Sequence, residues 1–355
     1  MPLFKPGRLA IISGNCTARH GRQKPVRHLN MAKRILLQIL FTFLLAEAVL
    51  ALFFRDDLPI IRAEKSLIYQ YDPVLGWSGI PNSATIIQGC APFHVQNNAY
   101  GFRDDDHNIQ KTKPRILVLG DSFVWGSDVE RADRFDQILQ KKMPEYEFIN
   151  VGLSGYSTDQ ELILLTRFWD QYQPDVVFHL FCHNDRQYNN LNYTSLGYRK
   201  PMFEKTNGQL RLVEAVVPKC PQYFYTQYPT LSKSLVFRAL VKIWVYFRHP
   251  YKENETDVTS DLILAIRSFA ESRGAKHLMG FTRPDKQAGD THFCQQNGIP
   301  FIDLSNPMVC PDKGNHWTTE GHRWVAEQLD TFLSKNLNPP PGLIQPQPQN
   351  DEINE

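Results

Sequence analysis

Arg115-Ile116-Leu117-Val118-Leu119-Gly120-Asp121-Ser122-Phe123 decides how this chain is read. Four consecutive apolar residues followed by Gly-Asp predict a strand buried on both faces, ending in a tight turn that presents the Ser122 hydroxyl. Outward from it the pattern repeats. Further strands are predicted over 147–151, 175–182, 276–281 and 300–304, and amphipathic helices over 131–142, 158–171, 260–273 and 318–334. Regular alternation of this kind predicts an α/β fold, a three-layer α/β/α sandwich around a parallel sheet.

In open parallel sheets, reactive groups collect beyond the carboxyl ends of the strands. Ser122 follows the first strand, Gly152 to Gly155 follow the second, Asn184 follows the third, and His316 stands just before the last helix. A serine hydroxyl is a poor nucleophile until an imidazole takes its proton. The expected division of labour is therefore Ser122 as nucleophile and His316 as base. The Ser122 and Gly155 N–H groups and the Asn184 side-chain amide would hold a developing oxyanion. Asp312 is the nearest acid to orient His316, with Asp303 as a more distant one. Asp121 is expected to stabilise the nucleophile turn, and His322, inside the final helix, to pack. Taken singly, Gly-Asp-Ser is a common turn and Asn184-Asp185 an ordinary cap. Their shared position at one predicted sheet edge is what points to catalysis. Gly120 to Gly126 lacks the Gly-Lys-Ser/Thr ending of a phosphate loop.

The chain has 355 residues, 42% of them apolar, and a formal charge of +2. That is enough for one large core. All eight Lys and Arg of residues 1–34 lie there without an acid, leaving 31 bases against 37 acids in the remainder. An acidic body argues against a nucleic-acid partner. The asymmetry fits a membrane instead. Ile35 to Phe54 is a nearly unbroken apolar stretch, interrupted by Gln38 and Glu47, long enough to span a bilayer, preceded by Lys33 and Arg34 and followed by Arg55-Asp56-Asp57. By the positive-inside rule the N-terminus is cytoplasmic and the body is periplasmic or extracellular. A cleaved signal with Ala46-Glu47-Ala48 as its site is the rival reading. Translation from Met31 would remove residues 1–30.

Six cysteines, at 16, 90, 182, 220, 294 and 310, show no C-x-x-C spacing, so no metal site is expected. In an exported body, pairing of Cys294 with Cys310 or of Cys90 with Cys220 stays open. Cys182 reads as a buried structural thiol. Residues 56–112 are punctuated by Gly, Pro and Asn and are expected to pack on the main domain, 113–335. Residues 186–259 interrupt the strand–helix rhythm with many aromatics, and Leu231 to Phe247 is the main helix expected there. Residues 336–355, rich in Pro, Gln and Asn, read as a disordered tail.

Gly120-Asp121-Ser122-Phe123, Gly155, Asn184 and His316 resemble, in order, the four blocks of the SGNH, or GDSL-type, hydrolase superfamily, over about residues 114–334. The resemblance implies a flavodoxin-like fold and hydrolysis or transfer of an acyl ester, without metal or organic cofactor. Asn98-Ala99-Tyr100-Gly101-Phe102-Arg103-Asp104 resembles an accessory motif of membrane-anchored members. One departure stands out. The family's acid lies three residues before its histidine, where this chain has Lys313, and Asp312 is four before. A one-residue loop insertion near Gly314 would restore the geometry; otherwise a Ser-His dyad or another acid serves. The expected function is a serine-dependent carboxylic-ester hydrolase acting on an acetylated envelope glycan or a lipid. An O-acyltransferase using the same serine, and a non-catalytic envelope binding or scaffolding protein, are the alternatives.

Overall fold

The computed structural model describes residues 26–60, 68–195, 197–213, 216–311 and 314–337. The chain divides into two units at Arg55. In the first, α1 (Val26–Phe53) contains the segment Met31–Phe53, long and apolar enough to cross a membrane. Leu37, Leu44 and Leu52 are among its exposed side chains, as expected of a helix with no polar face.

The second unit opens with two antiparallel hairpins, β1 (Tyr69–Asp72) with β2 (Gly76–Gly79) and β3 (Ala84–Gln88) with β4 (Pro92–Gln96). Then come β5 (Arg115–Leu119), α2 (Ser122–Trp125), α3 (Phe135–Lys142), β6 (Glu147–Asn150), α4 (Thr158–Tyr172), β7 (Val176–Phe181) and α5 (Asp185–Tyr188). The interrupted region holds β8 (Phe203–Thr206), β9 (Gln209–Leu212), α6 (Pro221–Gln227) and α7 (Leu235–Arg248). The rhythm resumes with α8 (Thr259–Glu271), β10 (Lys276–Phe281), α9 (Asp290–Gln296), β11 (Phe301–Asp303) and α10 (Thr319–Asn336).

The main sheet is parallel throughout, in the order β11-β10-β7-β5-β6. Counted along the chain this is 2-1-3-4-5, the flavodoxin-like order, whose switch point lies between β5 and β7. Side chains alternate across the pleat as strand geometry requires. Leu117 and Leu119 join the core under α4 and α8, whereas Ile116 and Val118 join the core under α3 and α10. Every residue of β5 and β7 is buried, which accounts for their largely apolar sequences, with Arg115 and His179 as the polar exceptions.

Two expectations need correction. The helix predicted over 131–142 is a 3-10 turn, Arg131–Asp133, and a separate α3, because Arg134 between them is extended and fully buried. Its guanidinium turns inward to Asp136 and to the Arg103 carbonyl. The disulfide joins Cys90 to Cys310, and neither pairing anticipated from sequence forms. Cys182, Cys220 and Cys294 are free and buried. Cys16, the segment 1–25 and the tail from 338 lie outside the described residues.

Candidate active site

Ser122 is the first residue of α2, a single turn beginning two residues beyond β5. Asp121 caps it, its Oδ1 accepting from the Phe123 N–H at 3.0 Å. Asp121 Oδ2 also stands 3.4 Å from Ser122 Oγ, and burial raises the Asp121 carboxyl from its usual value. The turn is held from β6 as well. Asn150 donates its amide to the Val124 carbonyl at 2.8 Å and accepts from the Gly152 N–H at 3.0 Å. Gly152 is required by this approach, since a Cβ there would lie 2.4 Å from Val124 Cγ1.

The Ser122 hydroxyl lies 2.8 Å from His316 Nε2. His316 sits on the loop between β11 and α10, and its carbonyl accepts from the Cys310 N–H at 2.8 Å. Its ring meets Phe123 edge-on, and the neighbouring Trp317 is buried between Phe123 and Phe135. On the far side of the ring, His316 Nδ1 is 2.9 Å from Asp128 Oδ2. A carboxylate in that place makes Nδ1 the donor and leaves Nε2 free to accept the serine proton.

Asp128 is thus a carboxylate at the His316 ring that the sequence reading did not single out. Asp312, the residue expected there, lies outside the described residues. Asp303 is engaged locally, accepting from Ser305 N–H and Oγ. Asp128 adopts a left-handed conformation, φ +70°, which aspartate tolerates better than most residues. Its other oxygen accepts from the Cys90 N–H at 2.9 Å. Gly89 permits this contact, since a Cβ there would stand 1.9 Å from Asp128 Oδ1. The Cys90–Cys310 bridge therefore joins the β3–β4 turn, which holds Asp128, to the loop that carries His316.

The accessory stretch 98–104 also serves this corner. Arg103, buried, donates to the carbonyls of Gly126 at 2.6 Å and Val129 at 2.8 Å, on either side of Asp128, and to His94 at 2.7 Å. Burial and the neighbouring Arg134 pull its guanidinium down to about 9. Asp104 accepts from the Asn150 N–H at 2.8 Å and so reaches the same framework.

The predicted oxyanion groups fall at the same sheet edge. Gly155 has φ +83°, in a turn whose Ser154 carbonyl accepts from Trp77 Nε1 at 3.3 Å. Asn184 follows β7, in a turn closed by Asp185, which accepts from the Cys182 N–H at 2.8 Å. Beneath these turns Glu161 is fully buried, 2.8 Å from His179. Burial, with Asp121 and Asp159 nearby, pushes Glu161 well above the carboxylate range, and burial lowers His179 to about 3. His322 is buried, accepts from the Phe135 N–H at 3.3 Å and stacks on the Phe135 ring, a packing role.

Beside Ser122 opens a cavity of about 370 Å3, bordered by Phe123, His183, Arg283, Ser305, Asn315 and Trp317 among others. Among the described residues no cluster of His, Cys, Asp and Glu is suited to hold a metal ion. The arrangement can take a proton from Ser122 and return it to a leaving group, in a partly enclosed and partly polar cleft.

A family model described as GDSL-like Lipase/Acylhydrolase matches residues 118–324. Among solved structures, the chain is similar to the crystal structure of TesA, at 13% identity and TM-score 0.38, covering 63% of this chain and 99% of that one. It is similar to a GDSL-like lipase from Bacteroides thetaiotaomicron VPI-5482, at 14% identity and TM-score 0.37, covering 65% and 93%. It is also similar to the psychrotrophic esterase EstA from Pseudoalteromonas sp., at 13% identity and TM-score 0.38, covering 64% and 100%. No curated protein matches the chain.

Proposed function

The chain belongs to the GDSL-like lipase/acylhydrolase family, and from that premise we propose that it is a membrane-anchored, serine-dependent carboxylic-ester hydrolase. The observation that carries the proposal is the continuous line Ser122 Oγ, His316 imidazole, Asp128 carboxylate, with contacts of 2.8 and 2.9 Å. Ser122 Oγ attacks the acyl carbon as His316 Nε2 takes its proton. Asp128 holds the Nδ1–H tautomer and stabilises the imidazolium. The carbonyl oxygen, now negative, receives the N–H groups of Ser122 and Gly155 and the Asn184 amide. His316 then protonates the departing alcohol, leaving an ester on Ser122. A water, deprotonated by His316, attacks this ester and releases the acid.

The polar groups of the adjoining cavity, Arg283, Ser305 and Asn315, support an ester with a hydrophilic component, of the acetylated-glycan type. The same acyl-enzyme could pass its group to a sugar hydroxyl instead of water. We place the body on the periplasmic or extracellular side. Lys33 and Arg34 before the span, Asp56 and Asp57 after it, and the Cys90–Cys310 disulfide support that side.

The test is covalent labelling by a fluorophosphonate, with Ser122→Ala as control, alongside release of nitrophenol from a short-chain ester. Labelling and turnover that both vanish in Ser122→Ala are expected. Folded wild-type protein that takes no label would leave the fold as a binding module. A rate that rises on adding an O-acceptor glycan, with acylated glycan as product, would make it a transferase.

A further inference from the structure

We propose that α7 lies in the membrane surface, its apolar face among the lipid headgroups and upper acyl chains, and so fixes the body on the bilayer. The inference rests on reading α1 as a membrane span. Of the fourteen residues of α7, only Leu235 and Val245 are buried. Leu240, Ile243, Trp244 and Phe247 are 61%, 51%, 49% and 79% exposed. Their spacing puts them on one stripe of the helix. Four large apolar side chains side by side on a surface helix call for a cover.

The chain itself indicates what covers them. Arg238 donates to the Leu58 carbonyl at 2.5 Å and Lys242 to the Asp57 carbonyl at 2.7 Å. Asp57 is the fourth residue after Phe53, the end of α1. Four residues reach at most about 14 Å, so connectivity alone keeps the α7 carbonyl partners close to the point where the span leaves the bilayer. A soluble partner would have to compete there with lipid.

Charge selects the same occupant. From 216 to 252 the chain has six Lys or Arg and no acid, in a body where acids exceed bases. Lys242 and Arg248 are exposed on α7, Arg248 lying over the Trp244 ring at 5.7 Å. A helix with an apolar stripe, basic flanks and Trp and Tyr at its border has the make-up of an interfacial helix drawn to anionic lipid. Held this way, the body would not swing freely on its tether.

Spin labels on the full chain test this, in a Cys16→Ser background, reconstituted in vesicles of phosphatidylethanolamine and phosphatidylglycerol. Phe247→Cys places a label on the stripe, Leu212→Cys places one on exposed β9, and Leu40→Cys places one in α1. Labels at 247 and 40 are expected to be more accessible to oxygen than to a polar nickel complex, and the label at 212 the reverse. A label at 247 as open to nickel as that at 212 overturns the proposal while leaving the span intact. Shielding of 247 from both reagents points to a second copy or a protein partner and overturns it too. A label at 40 that reports water removes the span reading, and this inference with it. Because none of these readouts uses turnover, failure of the hydrolase reading would not alter them.

Discussion

Asp128 Oδ2 and His316 Nδ1 stand 2.9 Å apart across 188 residues of sequence. If this contact sets the tautomer of His316, Asp128→Asn should lower kcat for a nitrophenyl ester by about 10,000-fold with little change in KM. Circular dichroism should show an unchanged fold. Asp312→Asn should change the rate by no more than a few-fold. The reverse ranking in steady-state kinetics would return the role to Asp312.

The Cys90–Cys310 bridge closes a loop of 220 residues that contains Asp128 and ends shortly before His316. Cys90→Ser with Cys310→Ser should cost about 2–5 kcal/mol of unfolding free energy, read from urea midpoints. It should also reduce kcat, because the Cys90 N–H that holds Asp128 and the Cys310 N–H that holds His316 lose their common tether. Dithiothreitol should reproduce both effects in the wild type and neither in the double variant. An enzyme whose midpoint and rate ignore the reductant would count against the bridge as a positioning element.

Arg103 satisfies several buried carbonyls at once, so Arg103→Met should destabilise by about 3 kcal/mol. Arg103→Lys should recover only part of the loss, since an ammonium cannot reproduce a planar fork aimed at separate carbonyls. Activity should fall further than stability alone accounts for, because the Gly126 and Val129 carbonyls bracket Asp128. Activity that stays at the wild-type level in the folded fraction would confine Arg103 to packing.

Burial holds His322 down to about 3, against an ordinary value of 6.5. As pH falls below 6.5 the unfolded chain takes up a proton that the folded one refuses, so this residue's contribution is complete above 6.5 and is lost toward 3. His322→Asn, which keeps an acceptor for the Phe135 N–H, removes that term. Relative to wild type, the variant should gain about 1.4 kcal/mol per pH unit between pH 6 and 4. Parallel profiles of urea midpoint against pH would sink the assignment.

The sheet was legible because buried parallel strands are apolar on both faces. The ends predicted for β5, β6, β7, β10 and β11 each fall within one residue of those observed. The positions of Ser122, Gly155 and Asn184 beyond strand ends, and of His316 before the last helix, were legible because a strand end followed by a glycine or a polar turn is a local pattern. Asp128 was not, since its partner is 188 residues away and no spacing rule connects them. A trace of it lay in Gly89 and in Gly126-Ser127-Asp128, where a glycine makes room for a carboxylate and an aspartate can adopt positive φ. The Cys90–Cys310 pair escaped for the same reason. Arg134 broke a predicted helix because a buried guanidinium has to meet its partners, a demand that periodicity does not record.

Ser122 and His316 are separated by 194 residues. At the usual pace of synthesis Ser122 leaves the ribosome about 10–40 s before His316. During that interval the growing chain has a serine, an Asp128 and most of a sheet, yet nothing to take the proton. Catalytic competence is therefore a late event in the life of each molecule. A chain cut short just before residue 316 would keep all five sheet strands and, on the proposed mechanism, still be inert toward any ester it met.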